Sequence, residues 1–137
     1  MIRALAFAAL LLVVAAVQAT DDCATRSKAP HALRASGDGY TVVFVPRPGP
    51  LATGGHFALD IAVCPGAGAT VPKSVQVDAD MPAHRHGMNY RASVVARGPG
   101  LYHAEGLMLH MPGRWRFIFD LDLDGRTARL TQEVDVP

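Results

Sequence analysis

From Trp115 to Leu123 every second residue is apolar: Trp115, Phe117, Phe119, Leu121 and Leu123, with Arg116, Asp120 and Asp122 between them. Side chains of an extended strand alternate between two faces, so this spacing puts one continuous apolar face on a core and the charges in water. Asp124-Gly125 supplies a tight turn, and Ala128, Leu130, Val134 and Val136 return along a partner strand. An amphipathic helix cannot satisfy a period of two, so this third of the chain is a β-hairpin.

The same period recurs upstream. Tyr40–Val45 is β-branched and aromatic and stops at Pro46-Arg-Pro-Gly-Pro50. In His56–Val63 the residues Phe57, Leu59, Ile61 and Val63 share a face, and Pro65-Gly-Ala-Gly follows as a turn. Val75, Val77 and Ala79 alternate up to Met81-Pro82, and Tyr90–Ala96 forms a further strand closed by Gly98-Pro-Gly100. A strand carrying Met108 and His110 lies between that turn and Trp115. No stretch after the leader shows helical periodicity, and the segment from Asp21 to Asp38 reads as partly irregular. About seven short antiparallel strands with turn residues at each end predict an all-β chain, an immunoglobulin-like β-sandwich.

The first residues set the compartment. Arg3 precedes an uncharged apolar run, Ala4 to Val17, and Val17-Gln18-Ala19 carries small residues where signal peptidase reads. That run is about 14 residues, short of the roughly 20 that cross a bilayer. A cleavable signal peptide over 1–19 is expected, then an N-terminal arm over 20–39 and one domain over 40–137. The protein is expected in the periplasm or secreted, with no stable membrane anchor after cleavage. Asp21-Asp22 before Cys23 do not suit a lipidation site. The chain has 13 Lys and Arg against 12 Asp and Glu, and Arg3 leaves with the leader. A balanced mature charge has no basic surplus to neutralise phosphates, which argues against nucleic acid.

Two cysteines, Cys23 and Cys64, complete the covalent inventory. In an exported chain they read first as a disulfide fastening the arm to the strand that ends at Cys64. Thiolate metal ligation is the rival, and it lacks a Cys-x-x-Cys spacing.

Histidine and methionine are unevenly distributed. Four of the six histidines and four of the five methionines lie between Met81 and Met111. His84, His86 and Met88 are spaced i, i+2, i+4, so in an extended segment all three leave one face. Pro82 and Gly87 equally suit a loop that wraps the ligands. In the second cluster Met108 and His110 share one strand face while Met111 points to the other, and His103 lies upstream. Imidazole with thioether is a soft donor set that favours copper, above all Cu(I), over the oxygen-seeking magnesium and calcium. Zinc more typically pairs histidine with cysteine or carboxylate. Asp120-Leu-Asp122-Leu-Asp124-Gly125 opens like a calcium loop, yet its twelfth position is Thr131, not Glu, and Leu121 and Leu123 continue the apolar face. No nucleophile elbow and no His-Glu-x-x-His motif occurs, and the His103–Glu105 pair within one strand is a poor acid–base device. The protein is not expected to be an enzyme.

Asp80-Met-Pro-Ala-His84-Arg-His86-Gly-Met88, followed by Gly106-Leu-Met-Leu-His110-Met-Pro-Gly113-Arg-Trp115, resembles the YtkA-like and FixH-like domains over roughly Val71 to Val136. The resemblance implies an immunoglobulin-like fold and a bacterial envelope location. Some members are associated with copper or with assembly of haem-copper oxidases. By residue it implies metal binding at His84, His86, Met88, His110 and Met111. Two functions follow as expectations. One is a copper-binding or copper-delivery module with a copper-receiving or redox envelope protein as partner. The other is a metal-free interaction or assembly module for a larger redox protein, contacting it through Met88 and Tyr90.

Overall fold

The computed structural model describes residues 22–137; the expected signal peptide over 1–19 lies outside them. Among the described residues nine strands form two antiparallel sheets, in line with the all-β sandwich expected. They are β1 (Leu33–Gly37), β2 (Tyr40–Arg47), β3 (His56–Pro65), β4 (Ser74–Met81), β5 (His86–Gly87), β6 (Ser93–Gly98), β7 (Leu101–Met108), β8 (Gly113–Asp122) and β9 (Thr127–Val136). One sheet runs β1-β2-β3-β7-β6 and the other β5-β4-β8-β9.

The alternating residues do what their spacing requires. Val42, Phe44, Leu59 and Ile61 of the first sheet meet Trp115, Phe117, Phe119 and Leu121 of the second, all completely buried. The Phe44 ring bridges the layers, 5.3 Å from Phe117 and 4.8 Å from Phe119 between centroids. Tilted aromatic pairs at such distances add to the area they bury. The β8–β9 hairpin keeps an unbroken register from Asp122↔Thr127 to Gly113↔Val136.

Two strands exceed the seven expected. β1 comes from the stretch read as partly irregular and pairs with β2 from Leu33↔Phe44 to Gly37↔Tyr40. Only Ala35 in it is buried, so its pattern is too short to stand out in sequence. β5 is two residues long. A short helix over residues 22–27 precedes them, and the Cys23–Cys64 disulfide, with Cα atoms 6.0 Å apart, ties it to the end of β3. β2 also continues through Pro46 to Arg47. β1 has ended by then, so that flank of β2 has no neighbour whose ladder a missing N–H would interrupt.

Two local features position the residues of interest. The strand expected over Tyr90–Ala96 begins only at Ser93, because residues 88–92 carry the chain from the four-stranded to the five-stranded sheet. In β7 a bulge changes the parity. Phe57 faces Leu107 while Leu59 faces Ala104, so β7 spends three residues where β3 spends two. Gly106 takes up the extra residue at φ +81°, a conformation that suits glycine. Ala104 and then Leu107 and Leu109 therefore all point into the core.

Candidate metal centre

β4 ends at the buried Met81, and Pro82 opens a single 3-10 turn over Pro82–His84. Arg85 follows in the left-handed conformation (φ 54°, ψ 38°), its N–H reaching the Pro82 carbonyl at 3.3 Å. This reversal lays His86 and Gly87 back along β4, with Met81 opposite His86 and Asp80 opposite Gly87. The segment His84–Met88 is thus part turn and part strand, His84 closing the turn and His86–Gly87 forming β5. Directly opposed residues of an antiparallel pair share a face, so His86 leaves the sheet on the side of the buried Met81.

Trp115, on β8, lies on that same inner side, completely buried. The His86 ring stands edge-on to its indole at 6.0 Å, and the His110 ring does so at 5.4 Å and 83°. The two imidazoles are 5.0 Å apart. His110 and Met111 sit in the turn between β7 and β8 rather than on a strand, because β7 stops at Met108. The alternation expected for Met108, His110 and Met111 therefore does not run through them. The indole Nε1–H of Trp115 donates to the Met111 carbonyl at 2.9 Å, anchoring that turn to the core.

His84 extends the row outward. Its ring is 5.8 Å from His86, and the residue is exposed, whereas His86 and His110 are half-buried. The structure thus brings three of the five expected residues together as consecutive imidazoles. Met111 is half-buried against the core, and Met88 likewise, its N–H bonded to the Ala79 carbonyl at 3.1 Å. Met88 also lines a cleft of about 750 Å³ between the β4 edge and residues 88–94.

The Nδ1 atoms of His86 and His110 are both buried without a hydrogen-bond partner. A shielded polar atom left unpaired costs about 1–3 kcal/mol, a cost that a bound ligand or water at either ring would offset. A metal ion fits them. With a metal–imidazole bond of about 2.0–2.1 Å, a ring centre lies about 3.2 Å from the ion. Two rings at angles between square and tetrahedral then have centres roughly 4.5–5.3 Å apart, which includes the His86–His110 spacing. Among the described residues no three His, Cys, Asp or Glu side chains converge on one point. The donor set that the geometry shows is therefore two imidazoles.

His103 belongs elsewhere. Its Nδ1 meets Asp60 at 2.9 Å and its Nε2 meets Glu105 at 3.2 Å, with Arg47 and Arg26 completing a charged cluster on the five-stranded sheet. Burial pushes the Asp60 carboxyl up, but hydrogen bonds from Arg47 and His103 and the charges of Arg47 and Arg26 outweigh it and hold it below its usual range.

Sequence reasoning treated Trp115 only as a core residue and counted Met81 in the His/Met cluster without a role, although both stand inside the Met-Pro motifs. Their second role, walling and anchoring the imidazole row, depends on β4 and β8 being neighbours. No curated protein and no solved structure matches the chain. Residues 34–120 match the YtkA-like family, a span that starts in β1, takes in both Met-Pro elements and ends within β8. The chain belongs to the YtkA-like family.

Proposed function

We propose that the protein is a copper-binding or copper-delivery module of the bacterial envelope, working in the periplasm after loss of its leader. One observation carries this reading: His86 and His110 stand 5.0 Å apart, each with a buried, unpartnered Nδ1. Methionine at positions 88 and 111 favours a soft ion, and imidazole with thioether suits copper better than zinc or calcium. The imidazoles bind the ion when neutral, so affinity falls as the solution is acidified. The buried Trp115 keeps water from the inner side, and its bond to Met111 holds the His110 turn in place.

The test is titration of the mature protein with Cu(I) against a competing chelator at neutral pH. Trp115 is the sole tryptophan, within 6.0 Å of both rings, so binding should also quench its fluorescence. Tight binding lost in His86→Ala and His110→Ala supports the site. Native protein that leaves copper with the chelator refutes it.

The cleft beside β4 favours a second reading, a metal-free assembly module. Tyr90 on its wall is 46% exposed, one of two large hydrophobic residues left in solvent among the described residues. Capture of an envelope redox protein that ignores chelator and is lost on changing Met88 or Tyr90 would favour it.

A further inference from the structure

The sandwich is closed along one side and open along the other. On the closed side β1 lies against β9, where a Cβ on Gly37 would meet the Leu130 side chain at 3.7 Å. On the open side the cleft of about 750 Å³ separates β4 from β6, and β5 covers only the Asp80–Met81 end of β4. In an antiparallel strand the N–H and C=O of one residue point to one edge, those of the next residue to the other. The Ala79 carbonyl accepts from the Met88 N–H, and the Ala79 N–H donates to the Asp78 carboxylate at 2.8 Å, so both groups of Ala79 lie on the β5 edge and are satisfied. β4 keeps an unbroken register with β8 from Ser74↔Asp122 to Asp80↔Arg116. Val77 and Val75 therefore turn their N–H and C=O to the same edge as Ala79. Beyond Met88 the chain departs for the other sheet, and among the described residues no group pairs with the main chain of Val77 or Val75 on that edge. Their side chains are buried in the core, so what they offer the cleft is backbone. Ser74–Asp78 also lacks the lysine or proline that commonly blunts an exposed edge.

We propose that this edge receives an extended segment of a partner protein as an added strand, antiparallel to β4 and continuing the line of β5. The first residue of the segment stands opposite Asp78, the second opposite Val77 and the fourth opposite Val75. The second and fourth exchange main-chain hydrogen bonds with Val77 and Val75. Directly opposed residues share a face, so their side chains point inward, toward the partly buried Met88, Ala92 and Val94 that line the cleft. Apolar residues suit both positions. The first side chain points outward beside Asp78. Asp80 and Asp120 are each held by an arginine, Arg116 and Arg129, whereas Asp78 makes no ion pair among the described residues. A lysine or arginine opposite Asp78 supplies the missing charge. The occupant is therefore an alternating segment in which a basic residue precedes two apolar ones spaced two apart. A second copy paired β4 to β4 does not provide this, because Ser74–Met81 contains no basic residue. The interaction is independent of whether copper is bound.

The probe is the synthetic peptide acetyl-Lys-Val-Thr-Val-Thr-amide, added to isotope-labelled mature protein in the presence of a metal chelator and followed by nuclear magnetic resonance. Hydrogen exchange at the Val75 and Val77 amides should slow about fivefold or more at saturation, as both N–H groups gain acceptors. Methylating the two valine nitrogens of the peptide should weaken binding about tenfold, because it removes the donors to the Val77 and Val75 carbonyls. Methylating the threonine nitrogen between them, which faces away from β4, should change binding less than about threefold. Native protein should prefer the lysine peptide to one with glutamate in its place, and Asp78→Lys, an exposed substitution, should reverse that order. A peptide that binds without slowing exchange at Val75 and Val77, or equally well with methylated valines, docks by side chains alone and overturns strand addition. No binding at millimolar peptide overturns it as well. Equal binding of the lysine and glutamate peptides overturns the choice of occupant. So does self-association of the protein, seen by sedimentation, that protects the same two amides without peptide, since the occupant is then a second copy.

Discussion

The indole nitrogen of Trp115 donates to the carbonyl of Met111 at 2.9 Å, joining a completely buried core residue to the turn that carries His110. Trp115→Phe keeps an aromatic ring in the core and removes the donor. It should destabilise the protein by about 1–3 kcal/mol, the cost of a lost bond and an unpaired carbonyl. Urea unfolding gives the first quantity. Cu(I) affinity should fall about tenfold in the same variant, because the turn is no longer held. Unaltered affinity would mean that His110 is positioned by other contacts.

Gly113 and Gly106 both have positive φ, at +128° and +81°, but their surroundings differ. A Cβ on Gly113 would stand 2.8 Å from the Met81 Cε, whereas one on Gly106 would meet nothing nearer than the Arg91 carbonyl at 3.8 Å. Gly106→Ala should therefore cost only backbone strain, on the order of 1 kcal/mol. Gly113→Ala adds displacement of a buried methionine and should cost about 2–3 kcal/mol. Thermal unfolding of the two variants would rank them, and the reverse order would contradict this account.

Removing the disulfide isolates the contribution of the N-terminal segment. The bridge spans 41 residues, and closing such a loop in the unfolded chain is worth about 3–4 kcal/mol in the entropy model. The Cys23→Ala/Cys64→Ala variant should lose about that much by denaturant titration while keeping its Cu(I) affinity, since neither cysteine adjoins the imidazole row. A parallel loss of copper affinity would show that the bridge helps to position the imidazole row.

Asp60 and Asp120 should govern acid stability. Arg129 holds the Asp120 carboxyl below its usual range through a paired hydrogen bond, against the opposing effect of burial. Asp60 is held low by its own cluster. A carboxylate lowered in the folded state contributes stability above its unfolded value, near pH 4, and loses it as pH falls through the lower folded value. Asp60→Asn should therefore be less stable than the native protein at pH 7. The gap should narrow below about pH 4 as the native carboxyl takes up its proton. A gap that stays constant down to pH 2 would assign the loss to packing instead of charge.

Most of the sandwich was legible before the structure, for a plain reason. The inward residues of β3, β4, β8 and β9 alternate over five or more positions, and a period of two admits no other regular structure. β1 was not legible because Ala35 is its only buried residue. The late start of β6 was hidden too, since Tyr90 and its neighbours cross between sheets and need not alternate with either.

In the site, sequence by itself determined the chemistry: imidazoles and thioethers concentrated between Met81 and Met111, flanked by two Met-Pro elements and by a tryptophan. It also determined which cysteines could pair. Tertiary structure alone decided which of those side chains meet. The left-handed Arg85 folds His86 back beside Met81, and the Gly106 bulge turns Leu107 and Leu109 into the core. The adjacency of β4 and β8 then sets Trp115 against both His86 and His110. Spacing along a chain fixes a side chain's face only while the backbone stays regular, and this site is made where two segments leave their strands.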